Sequence, residues 1–162
     1  MIKNKKEGGL NIYKHITLFV IFFFSMTNAM AKTSINEIHS CLALVDFVNS
    51  KLESSESTYS PEDKAIIHKG LFGYARYLEN DVIDPKLLKL YGGNVAQAKL
   101  MKKLFNRQQS RFIEYLDERH AERKFATDYV IAIKECSVKT RSQGDVALYL
   151  RQALTTMEKL DS

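Results

Sequence analysis

Three residues in the second half of the chain have the spacing of metal ligands. Glu114, Asp117 and His120 recur every three positions, so a continuous helix would turn them toward one side. A di-metal helical bundle needs a Glu-x-x-His motif on each of two helices and further carboxylates inside it, and the sequence has no second copy. The pattern therefore favours a solvated, charged helix face. We predict no metal site and no bound cofactor.

The sequence contains none of the patterns that usually carry catalysis. An enzyme would show a nucleophile beside a base, a phosphate-binding glycine loop or clustered metal ligands. The glycine pair Gly92 and Gly93 lacks the spacing and the preceding strand of a nucleotide-binding loop. We expect this pair to end a helix, and we expect a protein that is not an enzyme.

Positive charge is concentrated in the same part of the chain. The candidate binding residues are Arg107, Arg111, Arg119 and Arg123. Together with neighbouring lysines they could form a patch for an acidic partner or for an anionic component of the cell envelope. The alternative is an ordinary solvated surface, because acidic residues are interleaved with the later arginines and exposed ion pairs contribute only tenths of a kcal/mol.

The first 31 residues have the three parts of a secretory signal. A start with four lysines is followed by an apolar core at 16–24 and by the small-x-small signature of Ala29 and Ala31. The uncharged stretch is only sixteen residues long and partly polar, so a stable membrane span is disfavoured. We predict a cleaved signal peptide at 1–31 and export to the periplasm or out of the cell. An uncleaved anchor is the alternative.

Removing this signal changes the charge balance. It carries four of the 24 basic residues and one of the 19 acidic residues, so the net charge falls from +5 for the whole chain to +2 for the remainder. Because exported proteins rarely meet nucleic acid, the basic balance gives no reason to expect a nucleic-acid partner. The remaining 131 residues suit one domain, 32–162, with a hydrophobic core.

The two cysteines, Cys41 and Cys136, both lie in the exported part. An even number of cysteines in an exported chain favours a disulfide, and each of the two falls on the apolar side of its predicted helix. The alternative is two buried free thiols. We predict a bridge that closes a loop of roughly 95 residues and stabilises the fold by about 4 kcal/mol in the chain-entropy model.

The longest stretch without glycine or proline, 94–143, is rich in helix-forming residues. At 100° per residue its apolar side chains fall on one arc, which predicts a helix with a buried face. The members of this arc are Leu100, Met101, Leu104, Phe105, Phe112, Tyr115 and Leu116, followed by Ala126, Tyr129, Val130, Ile133 and Cys136. A single helix here would be about 75 Å long. We expect a break at 117–124, where the arc becomes polar, and we expect the other helices to gather around this stretch.

The other helices are marked by caps and by apolar stripes at spacings of three and four. The predicted caps are Ser34, Ser60, Asn94 and Asp145. Gly70 and Gly73 interrupt the second helix, which predicts close packing of a neighbour against them. His39 and His68 have no clustered ligands nearby, so we expect them at helix surfaces.

These patterns predict an all-α, single-domain bundle of four or five helices with one disulfide. Small size, the expected disulfide and the missing catalytic motifs favour a non-enzymatic binding protein. Its partner would be another envelope or secreted protein, with a role as an inhibitor, an immunity factor or an accessory protein. One alternative is a carrier that holds a small apolar or lipid-like ligand among the aromatic residues. A hydrolase with an unrecognised site is a further alternative.

Overall fold

The computed structural model describes residues 33–54, 59–119 and 126–159. Within these ranges the chain is helical and contains no strand, which confirms the all-α prediction. The helices are α1 Ile35–Ser54, α2 Pro61–Tyr77, α3 Asp84–Leu90, α4 Val95–Arg119, α5 Ala126–Thr140 and α6 Gly144–Lys159. A π-helical turn, Leu78–Ile83, joins α2 to α3, so that both belong to one continuous rod. The predicted signal peptide lies outside the described residues.

Local hydrogen bonds start three of the helices where the sequence predicts. Ser34 accepts from the backbone N–H of Glu37, whose carboxylate accepts from the N–H of Ser34, which completes a capping box. Ser60 accepts from Asp63, and Asn94 from Gln97, at 3.1 Å in both cases.

The cap predicted for the last helix is wrong by two positions, because the residue before the helix is Gln143. Helix α6 begins at Gly144, so that Asp145 lies inside its first turn and not before it. There the carboxylate favourably meets the positive end of the helix dipole.

Helices α2 and α6 form the closest-packed pair of the core. A Cβ placed on Gly70 would lie 2.4 Å from the backbone oxygen of Tyr149 and 2.5 Å from the Cβ of Ala153, so only glycine allows the two backbones to approach this closely. The close packing predicted for Gly70 is therefore confirmed. The same prediction for Gly73 is wrong, since a Cβ there would meet nothing within 4 Å.

A disulfide joins α1 to α5. Cys41 and Cys136 are bonded, with their Cα atoms 5.7 Å apart, and both are buried. Around them α1 contributes Ile38, Val45 and other apolar side chains to a core that also includes Ile133 of α5. The predicted bridge is confirmed, and it covalently links two core helices whose cysteines are 95 residues apart in the sequence.

The stretch predicted to organise the fold instead lies at its edge. Helix α4 packs mainly on α1 and α3, whereas the core is centred on α1, α2, α5 and α6. The break expected at 117–124 falls mostly outside the described residues, between Arg119 at the described end of α4 and Ala126 at the described start of α5. The organising role was predicted from length and helix propensity, and neither property determines which face finds a neighbour.

Candidate binding face on helix α4

Helix α4 leaves half of its apolar arc in solvent. Leu100, Leu104 and Tyr115 are 59%, 42% and 49% exposed, so the prediction that they are buried is wrong. The predicted arc spans about 160° at 100° per residue. The fold covers only one side of this arc, where Leu116 is buried and Phe105 is partly buried. A single neighbouring layer cannot cover so wide an arc.

The exposed residues line up along one side of the helix. Leu100, Leu104 and Tyr115 lie within about 60° of one another around the helix axis. The ring of Phe112, itself 36% exposed, stacks on that of Tyr115 with centroids 6.4 Å apart, at the edge of this stripe. Leu100 with Leu104, and Phe112 with Tyr115, thus form two exposed apolar groups on this side of the helix, and large apolar side chains in solvent are typical of an interaction surface.

Two of the four predicted binding arginines lie on this side. Arg107 and Arg111 are exposed and fall between the leucines and the tyrosine, within about 20° of Leu100 around the axis. We call Leu100, Leu104, Arg107, Arg111 and Tyr115 the α4 outer face.

The other two predicted arginines are not placed by the structure. Arg119 is the last residue of α4, and its side chain is outside the described part of the structure. Arg123 lies outside the described residues. The predicted patch is therefore seen only in its first half, where it joins the apolar stripe.

The inner side of α4 meets a polar layer that sequence reasoning missed. The ammonium group of Lys102 lies 3.0 Å from Glu79 and 2.8 Å from Asp84. The π-helical turn places these two carboxylates together, since Glu79 lies within it and Asp84 follows it directly. Burial lowers the pKa of Lys102, but the hydrogen bonds and charges of both carboxylates outweigh it and raise the pKa overall. Lys102 is thus held ionised, and its two ion pairs anchor α4 to the rod formed by α2 and α3.

A second polar contact joins α4 to α1. The side-chain amide of Gln109 donates to the carboxylate of Asp46 at 2.5 Å. Burial, and to a smaller extent the charge of Glu79, raise the pKa of Asp46 to about 6, although the bond from Gln109 acts in the opposite direction. Asp46 therefore titrates near neutral pH.

His39 of α1 is buried under α4, so its predicted surface position is wrong. It is 6% exposed and stacks on Phe105 with ring centroids 4.2 Å apart. Burial lowers the pKa of His39, as does the nearby charge of Lys102, which keeps the ring neutral at pH 7. Within the described structure neither ring nitrogen has a hydrogen-bond partner. The ring borders a cleft of about 140 Å³ between α1 and α4. His68, in contrast, is exposed as predicted and bonds to Asn49.

The triad with metal-ligand spacing is not assembled in the described ranges. Glu114 is exposed, Asp117 forms an ion pair with Lys51, and His120 lies outside the described residues. Across the part of the chain that the structure describes, no three His, Cys, Asp or Glu side chains are grouped to hold a metal ion. In the same ranges, no helix is both long and apolar enough to cross a membrane.

The missed residues share one property. They are His39, Asp46, Glu79, Asp84 and Lys102, which come from four elements. They meet only through the packing of α4 on α1 and on the rod formed by α2 and α3. The only sign of these contacts in the sequence was a polar residue beside an apolar stripe, such as Lys102 next to Met101.

Comparison with known proteins adds no relative. No protein family, curated protein or solved structure matches the chain. The arguments on function therefore rest on the chain's own residues.

Proposed function

We propose that this is an exported, non-enzymatic binding protein that uses the α4 outer face to bind another envelope or secreted protein. The partner would present an apolar surface with carboxylates beside it. Such a protein acts as an inhibitor, an immunity factor or an accessory protein. The observation that carries the proposal is the exposed stripe of Leu100, Leu104 and Tyr115.

The apolar part of the face supports a protein partner. Exposing three large apolar side chains on one side of a helix is unfavourable in water, at about 25 cal/mol for each Å² of apolar surface. A partner that covers them gains this free energy. Tyr115 and the two arginines belong to the residue types that most often dominate binding energy in protein interfaces.

The charge of the face supports an acidic partner. Between 95 and 113 the helix has five basic residues and no acidic one. Lys102 is neutralised by Glu79 and Asp84, whereas Arg107 and Arg111 point to solvent beside the stripe. Carboxylates facing the two arginines would speed the encounter and set its orientation.

A second cleft favours the alternative of a small apolar ligand. Leu87, Leu88, Val95 and Ala98 line a space of about 340 Å³ between α3 and α4, with Lys99 beside it. An acyl chain with an acidic head group has the matching chemistry. Native mass spectrometry of the purified protein tests this alternative, because a bound ligand adds its mass and release by denaturation removes it.

The proposed function predicts that capture of a partner depends on the outer face. The exported protein is tagged and used to capture partners from envelope extract, and the captured protein is then titrated with variants. Arg107→Gln combined with Arg111→Gln should weaken binding at least about tenfold and reduce its dependence on salt. The matched control is Lys89→Gln with Arg151→Gln, which removes two exposed charges elsewhere. Equal binding by both double variants would contradict the proposal.

A further inference from the structure

Helix α4 carries opposite charges at its two ends. Lys99, Lys103, Arg107 and Arg111 occupy the first part, and Glu114 and Glu118 the last, all of them exposed. Residues four apart face each other on a helix, so Lys99 repels Lys103 and Glu114 repels Glu118. None of these four forms a salt bridge within the described chain. The like-charged neighbours oppose helix formation, and among the described residues no ion pair offsets their repulsion.

We infer that two copies of the protein pair through this helix, with the two α4 helices antiparallel about a two-fold axis between residues 108 and 109. The basic end of one copy then lies beside the acidic end of the other. In this register Lys103 faces Glu114 of the second copy. The symmetry forms this pair twice.

The apolar stripe selects the same register independently. With the axis between residues 108 and 109, Tyr115 of the second copy lies level with position 102. That position is midway between Leu100 and Leu104. The two leucines lie one turn apart, at about 6 Å along the helix. The ring therefore fits the gap between the two leucines, as a side chain of one helix fits a gap in its neighbour. Charge and shape agree on one alignment, although they come from different residues.

Lys103 and Glu114 also lie on matching sides of the two helices. At 100° per residue, Lys103 and Glu114 are about 20° apart around the axis and lie on the same flank of the stripe. In an antiparallel two-fold pair, a flank meets the same flank of the second copy. In a parallel two-fold pair Lys103 lies level with its own equivalent and eleven residues along from Glu114 of the second copy, so the opposite charges do not pair.

The arginines set a limit on the strength of the pair. Arg107 and Arg111 lie near the two-fold axis, so four arginines meet there in the dimer and repel one another. This predicts a weak pair that a more acidic partner displaces. That consequence rests on the proposed function, whereas the pairing itself does not.

Charge reversal tests the pairing with variants that control for each other. Lys103→Glu and Glu114→Lys each place like charges in both symmetric contacts, so each variant alone should dimerise at least about tenfold more weakly than the wild type. Mixed together, they should form a heterodimer, because every contact is then Lys against Glu. Light scattering and native mass spectrometry across a concentration series measure both results.

Two results would overturn the inference. One is a wild-type protein that stays monomeric at every concentration, and the other is a mixture of the two variants that associates no better than each variant alone. Arg107→Gln with Arg111→Gln separates this inference from the proposed function, since it should strengthen the dimer while weakening capture of an acidic partner. Weaker dimerisation of that double variant would contradict the alignment.

Discussion

Helices α6 and α4 present similar apolar stripes in the sequence and have opposite surroundings in the fold. Helix α6 buries Leu150, Ala153, Leu154 and Met157. Helix α4 leaves Leu100, Leu104 and Tyr115 in solvent, although they belong to an equally regular pattern. An apolar stripe therefore shows that a helix is suited to a neighbour. It does not show that the neighbour is in the same chain.

The neighbouring surfaces explain the difference. Helix α6 meets α2 at Gly70, where the lack of a side chain allows the backbones to approach and the stripe to be covered. Helix α4 meets α1 through the stacked ring of His39 and the carboxylate of Asp46, and it meets the π-helical turn and α3 through Lys102. The polar contacts of Asp46 and Lys102 hold α4 in one position without enclosing it.

The disulfide lies in the core, and its removal has the largest expected effect on stability. Replacing both Cys41 and Cys136 by Ala should lower the free energy of unfolding by about 4 kcal/mol, because the unfolded chain loses a cross-link over 95 residues. Thermal unfolding followed by circular dichroism should show a melting temperature lower by more than about 10 °C. Wild-type protein in reductant is the control and should show a similar loss. An unchanged melting temperature in both samples would refute the prediction.

Matched leucine substitutions compare the two helices directly. Leu154→Ala in α6 should cost about 3 kcal/mol, since it leaves a cavity in the core. Leu100→Ala in α4 should cost less than about 0.5 kcal/mol, because that side chain is largely solvated. Urea unfolding measures both. Equal losses would mean that α4 is covered as fully as α6 in solution.

The two glycines of α2 test the close approach that lets α6 be buried. Gly70→Ala should destabilise the protein by about 2 kcal/mol, because the new Cβ meets the backbone of Tyr149. Gly73→Ala should stabilise it by about 0.5 kcal/mol, since alanine favours the helix and nothing lies nearby. Both substitutions lie in the same helix and make the same chemical change. Opposite effects on the free energy of unfolding would therefore isolate the effect of packing at Gly70. The same sign for both would show that the backbones do not meet at Gly70.

The smallest expected effect concerns the polar layer under α4 and depends on pH. Because burial raises the pKa of Asp46 to about 6 in the folded state, its ionised form destabilises the fold above that pH. Asp46→Asn keeps an acceptor for Gln109 and should stabilise the protein by about 1 kcal/mol at pH 8, since partial exposure screens the charge. The gain should shrink as the pH falls through about 6 and vanish only below the ordinary Asp pKa of 3.8, where Asp46 is protonated in both states.

The lowered pKa of His39 has the opposite pH dependence and is present in both proteins. Its folded form resists protonation, so the imidazole reduces stability as the pH falls below about 6.5. Comparing wild type and Asp46→Asn at each pH cancels this contribution. A stability difference that does not change with pH would show that burial does not raise the pKa of Asp46.

The amino-acid sequence was sufficient for features that depend on neighbours along the chain. The caps at Ser34, Ser60 and Asn94 are made by hydrogen bonds between residues three positions apart. The stop at Gly92 and Gly93 depends on backbone angles, positive at both residues, that glycine adopts without strain. The cysteine pairing was also predictable, because the chain has only two.

Only the tertiary structure decided which surfaces are covered. Periodicity placed Leu100 and Leu116 on one wide arc, and the position of α1 then buried Leu116 and left Leu100 in solvent. In the same way, the docking of α4 on α1 enclosed His39 and raised the pKa of Asp46. The physical reason is that burial depends on the side chains that other helices bring within a few ångströms, and helical periodicity alone contains no information about them.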